Sequence, residues 1–381
     1  MATVDDHGWA QCVQRLETEL GTSELNTWIR PLQARREGDR LVLVAPNRMV
    51  MERVRVDFCA RIQRAWLASG GEDIEVDVTA AAESRLNGTG SGDDTPDAER
   101  LIRHCRWLLS QGAGLAVFGT NSEANSMSAG EKADLLDRLV EAGIDPGRMM
   151  PGTGACAIPD TVRLTAHAVR RGCAGVMMLP PFYYKGVSDE GLFRAFSEVI
   201  ERVGDSRLRV YLYHIPPVAQ VPLSLALIER LLAAWPGTVV GIKDSSGDWS
   251  NTEAMLKAFP GFGVFAGSES FLLRNMRGGG AGCISATANI NAGAIAGLAA
   301  NWQAADAQTA QDRLDELRGA MSRYPMIPAL KATVGRFQDD PGWFRLRPPL
   351  VELAEDQRQA LFADLDRLDF RMPGLQQAAV A

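Results

Sequence analysis

The chain has 381 residues, 46% of them apolar and 23% charged, with a formal net charge of -7. This composition is typical of a soluble globular protein, and the length allows two domains. The net negative charge offers no general attraction to nucleic acid or anionic membranes, so we expect neither kind of binding. No apolar stretch is long enough to span a bilayer.

The six cysteines are scattered and form no Cys-x-x-Cys pair. This pattern is typical of reduced thiols in a cytosolic protein, and it indicates neither a disulfide framework nor a zinc site. Residues 1–7 lack the basic segment and apolar core of a signal peptide. We therefore expect a cytoplasmic protein.

The first region, residues 1–80, carries three distinctive stretches. They are Trp9-Ala-Gln-Cys-Val-Gln-Arg-Leu16, Asn26-Thr-Trp-Ile-Arg-Pro-Leu32 and Leu41-Val-Leu-Val-Ala-Pro-Asn-Arg48. They resemble the N-terminal domain of the bacterial replication initiator DnaA, which is a small α/β module of the KH type. That resemblance implies a module that binds the replicative helicase or other regulators, or that self-associates. Residues 74–78 would be its last strand.

Within this module the resemblance implies partner-binding roles for Trp9 and Glu24. Core packing is the alternative for Trp9 and Leu32, and it is the favoured role for Trp28. The chain contains no Gly-x₄-Gly-Lys-Ser/Thr motif and no basic helix-turn-helix segment. It therefore lacks the parts with which an initiator binds ATP and origin DNA.

Residues 81–96 are rich in Gly, Ser, Asn and Asp, which predicts a flexible linker. From residue 97 to 381, helical patterns alternate with short apolar runs. The runs cover residues 115–118, 149–152, 175–179, 210–213, 239–242, 264–266 and 283–285. Repeated β-loop-α units predict a parallel sheet, and the spacing favours a (β/α)₈ TIM barrel followed by C-terminal helices.

A doubly wound open sheet is the alternative fold, but no Gly-x-Gly-x-x-Gly follows an early strand. The count of predicted strands is seven, because the linker occupies the place of the first. A parallel barrel without one strand has two unpaired edges. Either upstream sequence completes the barrel, or the barrel is incomplete.

The most informative strand end carries Lys243, which follows the buried run 239–242. Desolvation disfavours an ammonium group, and a desolvated lysine is the kind of residue that forms Schiff bases with carbonyl substrates. A surface lysine beyond a strand end is the alternative, and this segment alone gives the two equal weight.

Other strand ends of a barrel meet at the same face. Thr120, Asn121 and Ser122 form a turn that could hold a carboxylate or could cap a helix. Tyr213 could relay protons, whereas a structural role is favoured for His214. Ser268 and Glu269 could bind substrate hydroxyls, and helix capping is the alternative for Ser268.

These strand ends carry motifs that occur together and in one order, and the combination is more specific than any single motif. The motifs are Gly119-Thr-Asn-Ser-Glu123, Pro181-Phe-Tyr-Tyr184, Tyr213-His-Ile-Pro216, Gly241-Ile-Lys-Asp244 and Gly282-Cys-Ile-Ser-Ala-Thr-Ala-Asn289. Residues 97 to 353 resemble the dihydrodipicolinate synthase/N-acetylneuraminate lyase family of class I aldolase-like enzymes. The resemblance implies a homo-oligomer, a dimer or tetramer, that needs no metal or organic cofactor.

By this resemblance Lys243 is the Schiff-base lysine, Tyr213 and Thr120 complete the catalytic set, and Asn121 helps to hold the pyruvyl carboxylate. Tyr183 matches a tyrosine that enters a neighbouring subunit's site, and Ile284 lines the pocket beside the lysine.

The chain departs from the family pattern at three places. Gly119-Thr-Asn-Ser-Glu123 stands where the family has Gly-Thr-Thr-Gly-Glu, which alters the hydroxyl relay between tyrosine and threonine. Residues 217–222 lack the arginine that binds the second substrate's carboxylate in synthases proper. The first strand, usually ending in Thr-Pro-Phe, is absent. The missing arginine favours a lyase or aldolase acting on pyruvate or a related 2-keto acid over lysine biosynthesis. The alternatives are a non-enzymatic interaction protein working through residues 1–80, and a fusion without a joint function.

Overall fold

The structure, a computed structural model, describes residues 6–21, 24–37, 40–45, 48–69, 75–80 and 96–375. Internal contacts divide the chain into one unit, Met1–Thr95, and a second unit, Pro96–Ala381. Each unit has its own hydrophobic core. Apart from Pro96, the linker predicted from the sequence lies outside the described residues.

The first unit is a small α/β module. Its elements are α1 (Asp6–Glu19), a π-helical turn (Leu25–Ile29), β1 (Gln33–Glu37), β2 (Arg40–Ala45), α2 (Arg48–Arg53), a second π-helical turn (Val54–Phe58), α3 (Cys59–Ala68) and β3 (Glu75–Ala80). The sheet has the order β1-β2-β3. β2 lies in its centre because it pairs antiparallel with β1 and parallel with β3. The strand predicted at residues 74–78 therefore belongs to this sheet, although Ile74 itself lies outside the described residues.

The second unit alternates strands with helices. Its strands are β4 (Val176–Met178), β5 (Val210–His214), β6 (Val239–Asp244), β7 (Gly263–Ala266) and β8 (Gly282–Cys283). They form one parallel sheet in chain order. Two single bridges, Leu115 to Met149 and Gly152 to Met177, extend the ladder backwards along the chain. The runs at 115–118 and 149–152 therefore occupy the predicted strand positions but pair only at these single residues.

Helices cover the outside of this sheet. They are α4 (Ala98–Ser110), α5 (Ala129–Glu141), α6 (Ile158–Arg170), α7 (Asp189–Val203), α8 (Pro216–Ala219), α9 (Leu225–Ala234), α10 (Trp249–Ala258), α11 (Leu272–Arg277), α12 (Ala288–Ala300), α13 (Ala307–Met321), α14 (Met326–Gln338) and α15 (Glu355–Arg367).

Side-chain caps fix where several of these helices begin. Asp97, Ser128, Ser188 and Ser224 accept hydrogen bonds from the backbone N–H groups three residues later, and Asp248 accepts one from the Ser250 N–H, two residues later. Such caps satisfy N–H groups that have no partner inside the helix. They set where each loop at the strand ends stops and the next helix starts.

The barrel has an open seam. Its parallel ladder begins at Leu115 and ends at β8, and no backbone pairing joins these two ends among the described residues. The end of α4 and the middle of α12 approach one another here. A Cβ on Gly112, two residues after α4, would lie 3.4 Å from the Cβ of Ala296 in α12. The predicted TIM barrel is thus present, and the described residues contain no first strand. The described part of the chain has no helix with the length and apolar character needed to cross a bilayer.

Candidate active site

Lys243 lies at the C-terminal end of β6 and is 5% exposed. It faces Tyr213 on the neighbouring strand, since the register of β5 and β6 places these two residues opposite one another. The Lys243 Nζ atom is 3.1 Å from the Tyr213 Oη and 4.3 Å from the centre of its ring. Of the two interpretations of Lys243, the structure excludes the exposed surface lysine.

Thr120 completes a chain of polar atoms with this pair. Its Oγ1 lies 3.1 Å from the Tyr213 Oη, so Thr120, Tyr213 and Lys243 form one hydrogen-bonded row. Thr120 begins a short 3₁₀ turn, Thr120–Ser122, after Phe118 in a left-handed conformation with φ 60°. Because each hydroxyl can both donate and accept, the row can pass a proton towards Lys243.

Glu123 anchors the loop that carries Thr120. It has a left-handed backbone with φ 55°, and its carboxylate accepts hydrogen bonds from Lys331 Nζ at 2.6 Å and the Arg347 N–H at 2.7 Å. Both partners are more than two hundred residues away in the chain. The position of Thr120 therefore depends on the C-terminal part of the chain, through Lys331 in α14 and Arg347 in the segment that follows.

A cavity of about 520 Å³ opens next to Lys243. Thr120, Asn121, Ser122 and Ile284 line it together with Lys243. The Ile284 N–H donates to the Ala266 carbonyl at 2.9 Å, which fixes this wall against β7. Five of the residues selected from the sequence thus share one cavity, and Tyr213 contacts two of them.

Ser268 and Glu269 are not among the described residues that line this cavity. Ser268 Oγ accepts a hydrogen bond from the Ser270 N–H at 3.3 Å, which is the helix-capping role. The Glu269 side chain, 2% exposed, accepts hydrogen bonds from Ser285 and Thr287 and pairs with Arg318 at 3.4 Å. Protein groups therefore surround this carboxylate.

His214 and Asp244 are the neighbours of Tyr213 and Lys243 on the opposite face of their strands. The His214 Nδ1 accepts a hydrogen bond from the Leu223 N–H at 3.0 Å. Burial lowers the pKa of His214, although Asp244 nearby acts in the opposite direction. Asp244 accepts hydrogen bonds from Thr252 at 2.6 Å and Asn251 at 3.0 Å. These contacts hold the ends of β5 and β6, in keeping with the structural role favoured for His214.

Tyr183 lies outside the cavity and is 74% exposed. It stacks edge-on with Tyr184, with 5.3 Å between ring centres. Lys185 in the same segment donates to the carbonyls of Phe182 and Ala219. In the first unit, Trp9 is half-buried against the core and Glu24 is exposed.

Sequence reasoning missed Asp244 and the face of α4 that lines the cavity. Asp244 had a signal, because it directly follows Lys243 at the end of a strand. On α4 the spacing of Leu101, His104, Cys105 and Leu108 indicates a buried face but not a cavity wall. No group of three or more His, Cys, Asp or Glu side chains that could hold a metal ion occurs within the described residues.

Two family models match the chain. Residues 91–368 match the dihydrodipicolinate synthetase family, and residues 6–68 match the DnaA N-terminal domain. An uncharacterized DapA-like lyase of Chloroflexus aurantiacus is 33% identical over 274 residues, which cover 71% of this chain and 91% of that protein. A 4-hydroxy-tetrahydrodipicolinate synthase of Acidiphilium cryptum is 32% identical over 232 residues, which cover 59% of this chain and 77% of that protein.

Solved structures agree with these matches. The crystal structure of dihydrodipicolinate synthase from Agrobacterium tumefaciens superposes with a TM-score of 0.68 at 35% identity. The superposition covers 74% of this chain and 96% of the Agrobacterium chain. A Sulfolobus solfataricus 2-keto-3-deoxygluconate aldolase variant, 21% identical with a TM-score of 0.66, shares the fold. The predicted family is confirmed: this chain belongs to the dihydrodipicolinate synthetase family.

Proposed function

We propose that the protein is a class I lyase or aldolase in which Lys243 forms a Schiff base with pyruvate or a related 2-keto acid. The observation that carries this proposal is the row Thr120–Tyr213–Lys243, with 3.1 Å at each step, beside a cavity. A buried amine next to a tyrosine hydroxyl is the arrangement that carbonyl addition requires.

The reaction would begin with attack of the neutral Lys243 amine on the keto carbon. The carbonyl oxygen gains a proton and becomes the hydroxyl of a carbinolamine, and the nitrogen loses one. Loss of that hydroxyl as water leaves the Schiff base. Tyr213 is within reach of Nζ to carry these protons, and Thr120 would exchange them with Tyr213.

Asn121 and Ser122 are proposed to bind the substrate carboxylate together with Thr120. All three line the cavity, and their hydroxyl and amide groups can donate hydrogen bonds to a carboxylate. We assign Ile284 to the apolar wall beside Lys243. Ser268 and Glu269, which the sequence suggests as substrate ligands, are better suited to supporting the strand ends, given their hydrogen bonds within the protein.

The substrate is proposed to be a 2-keto acid without a second carboxylate held by an arginine. Residues 217–222 contain no arginine. Lys185 contacts this segment, but its ammonium group already donates hydrogen bonds to the carbonyls of Phe182 and Ala219. A carboxylate without a charged partner loses a strong hydrogen bond. This argues against the synthase reaction named for the Acidiphilium relative.

Reductive trapping tests the proposal. The whole chain is incubated with pyruvate and cyanoborohydride, its mass is measured, and the modified lysine is located by peptide mapping. We expect one adduct, on Lys243, and none in the Lys243→Arg variant. The exposed Lys257 serves as an internal control. A chain that gains no adduct on Lys243 would refute the Schiff-base role.

The exposed Tyr183 is proposed to enter the site of a second copy in a dimer or tetramer. A tyrosine 74% exposed beside another at 71% is a large uncovered aromatic surface for a monomer. Sedimentation of the wild type and of Tyr183→Ala tests this, with an oligomer that dissociates in the variant as the expected result. A monomeric wild-type chain would contradict it.

The alternative function is an interaction protein that works through residues 1–80. The match of residues 6–68 to the DnaA N-terminal domain favours it. Here Trp9 and Glu24 would contact a replicative helicase or a second copy. A pull-down with purified helicase discriminates between the two: saturable binding that Glu24→Lys abolishes, together with absence of keto-acid trapping, would favour this alternative.

A further inference from the structure

The cavity next to Lys243 extends well beyond the space that a small keto acid needs. Its volume of about 520 Å³ lies within the range, roughly 300–1,000 Å³, of sites for drug-sized ligands. Pyruvate would fill only the part between Lys243 and Thr120. The remainder runs along the seam between Leu115 and Cys283, both of which line it.

Two helices supply the wall of this additional space. Leu101, Cys105 and Leu108 project from one face of α4, and Ala292 and Ile295 from one face of α12. Four of these side chains are apolar, and the fifth is the weakly polar thiol of Cys105. All except Leu101 are more than nine-tenths buried. In a barrel with a first strand, that strand would run between these helices and the interior. Because the described residues contain no such strand, the inner faces of both helices join the space around Lys243.

One polar group interrupts the apolar wall. His104 lines the cavity, is 5% exposed, and its Nδ1 has no hydrogen-bond partner within the described residues. Its ring lies between Trp107 and Trp343, with ring centres 5.6 and 5.2 Å away. Burial lowers the pKa of His104 to about 4, and the Asn289 side chain offsets only part of this effect. A neutral, buried and unpaired imidazole nitrogen is a hydrogen-bonding position that a ligand can satisfy.

We infer that the seam is a second substrate subsite, which takes the apolar arm of an extended 2-keto acid and pairs a neutral hydroxyl of that arm with His104. This inference rests on the proposed Schiff-base function, because Lys243 holds the reacting end. An aryl or medium-chain 2-keto acid fits the apolar wall. Arg148, the second cation among the lining residues, already donates to the Ala113 carbonyl at 3.0 Å.

The preference is measured by trapping at graded concentrations of three keto acids. Pyruvate, phenylpyruvate and 4-hydroxyphenylpyruvate are each titrated against the whole chain with cyanoborohydride, and the modified fraction is read from the intact mass. Burial of an aromatic ring should lower the half-saturating concentration at least about tenfold relative to pyruvate. The hydroxylated acid should bind more tightly than phenylpyruvate in the wild type, and this difference should vanish in His104→Leu.

Filling the seam provides the matched test. Ala292→Leu adds volume to the wall, while Ala294→Leu adds the same volume on the exposed side of the same helix. In Ala292→Leu the ratio of the pyruvate and phenylpyruvate half-saturating concentrations should fall towards one; Ala294→Leu should keep the wild-type ratio. Ala296→Leu, which also lines the cavity, replaces Ala292→Leu if circular dichroism shows that the latter does not fold.

The outcomes separate the two proposals. Trapping of pyruvate on Lys243 without preference for the aryl acids overturns the subsite and leaves the Schiff base intact. The subsite is likewise overturned if Ala292→Leu and Ala296→Leu both fold and keep the wild-type ratio. Absence of trapping with all three acids overturns the proposed function, and the subsite with it.

Discussion

Tyr213 and Lys243 lie directly opposite one another on adjacent parallel strands, with 3.1 Å between Oη and Nζ. A parallel register fixes this pair more firmly than two loops could, because both backbones are held by ladder hydrogen bonds. Asp244 and His214, one residue further along, repeat the pairing on the other face. The distance between the proposed base and nucleophile is therefore a property of the sheet.

Removal of the Tyr213 hydroxyl tests its proposed role. Tyr213→Phe keeps the ring over Lys243 but removes the proton carrier, so we expect the rate of adduct formation at saturating pyruvate to fall roughly 100- to 10,000-fold. Tyr324→Phe, which removes a hydroxyl bonded to Asp364, serves as the control and should react at the wild-type rate. Equal rates in Tyr213→Phe and the wild type would exclude proton transfer by Tyr213.

Glu123 should influence substrate binding from outside the cavity. Glu123→Gln weakens the contacts to Lys331 and the Arg347 N–H, so the free energy of unfolding should fall by about 2 kcal/mol. The looser Thr120 turn should raise the pyruvate concentration needed for half-maximal trapping. Glu253→Gln breaks an exposed pair with Lys257 and should alter neither property. If Glu123→Gln is less stable but keeps the wild-type half-saturating pyruvate concentration, Glu123 does not influence substrate binding.

Gly241 should tolerate no side chain. A Cβ at this position would lie 2.5 Å from a ring carbon of Tyr211 and 2.6 Å from the Gly263 carbonyl oxygen. The backbone of β7 is held by ladder pairing to β6 and β8, so it cannot move away from the added methyl group. Gly241→Ala should therefore lower the free energy of unfolding in urea by about 1–3 kcal/mol. Gly319→Ala, in a helix with open space around it, should be neutral or slightly stabilising. A Gly241→Ala variant as stable as the wild type would contradict this packing.

His104 should make the protein sensitive to acid. Its folded-state pKa of about 4 lies below the ordinary value of 6.5, so between these pH values the unfolded chain binds a proton that the folded chain does not. Stability contributed by neutral His104 is complete above about pH 6.5 and is lost as the pH falls towards 4, by about 3 kcal/mol in total.

The measurement is the urea midpoint at several pH values for the wild type and His104→Gln. The variant should lose less stability between pH 7 and pH 4, and the difference between the two slopes isolates His104 from other titrating groups. Identical pH profiles would show that His104 is not held neutral.

Local sequence patterns predict much of this architecture. The helical patterns predicted from residue 97 onwards begin with α4, which spans Ala98–Ser110. The apolar run at 239–242 is part of β6, and the run at 210–213 lies in β5. By contrast, the runs at 115–118 and 149–152 pair only through single bridges. An apolar run shows that a segment is buried, but its ladder hydrogen bonds come from neighbours that its own residues do not specify.

Side-chain direction is harder to foresee. Glu269 follows a strand end as Lys243 does, yet its carboxylate turns to Ser285, Thr287 and Arg318. These partners lie up to 49 residues away along the chain, and only folding brings them together. The roles of Ser268, Glu269, Tyr183, Trp9 and Glu24 stay predictions for the same reason: each depends on what faces the side chain.

The sequence by itself determined the family and the residues at the ends of the strands, including Lys243 and Tyr213. It could do so because parallel strands in chain order bring their C-terminal ends to one face of the sheet. Only the tertiary structure decided that the seam, unpaired among the residues that the structure describes, joins the inner faces of α4 and α12 to Lys243. A cavity is space enclosed by residues distant in the chain, and no local pattern encodes its volume.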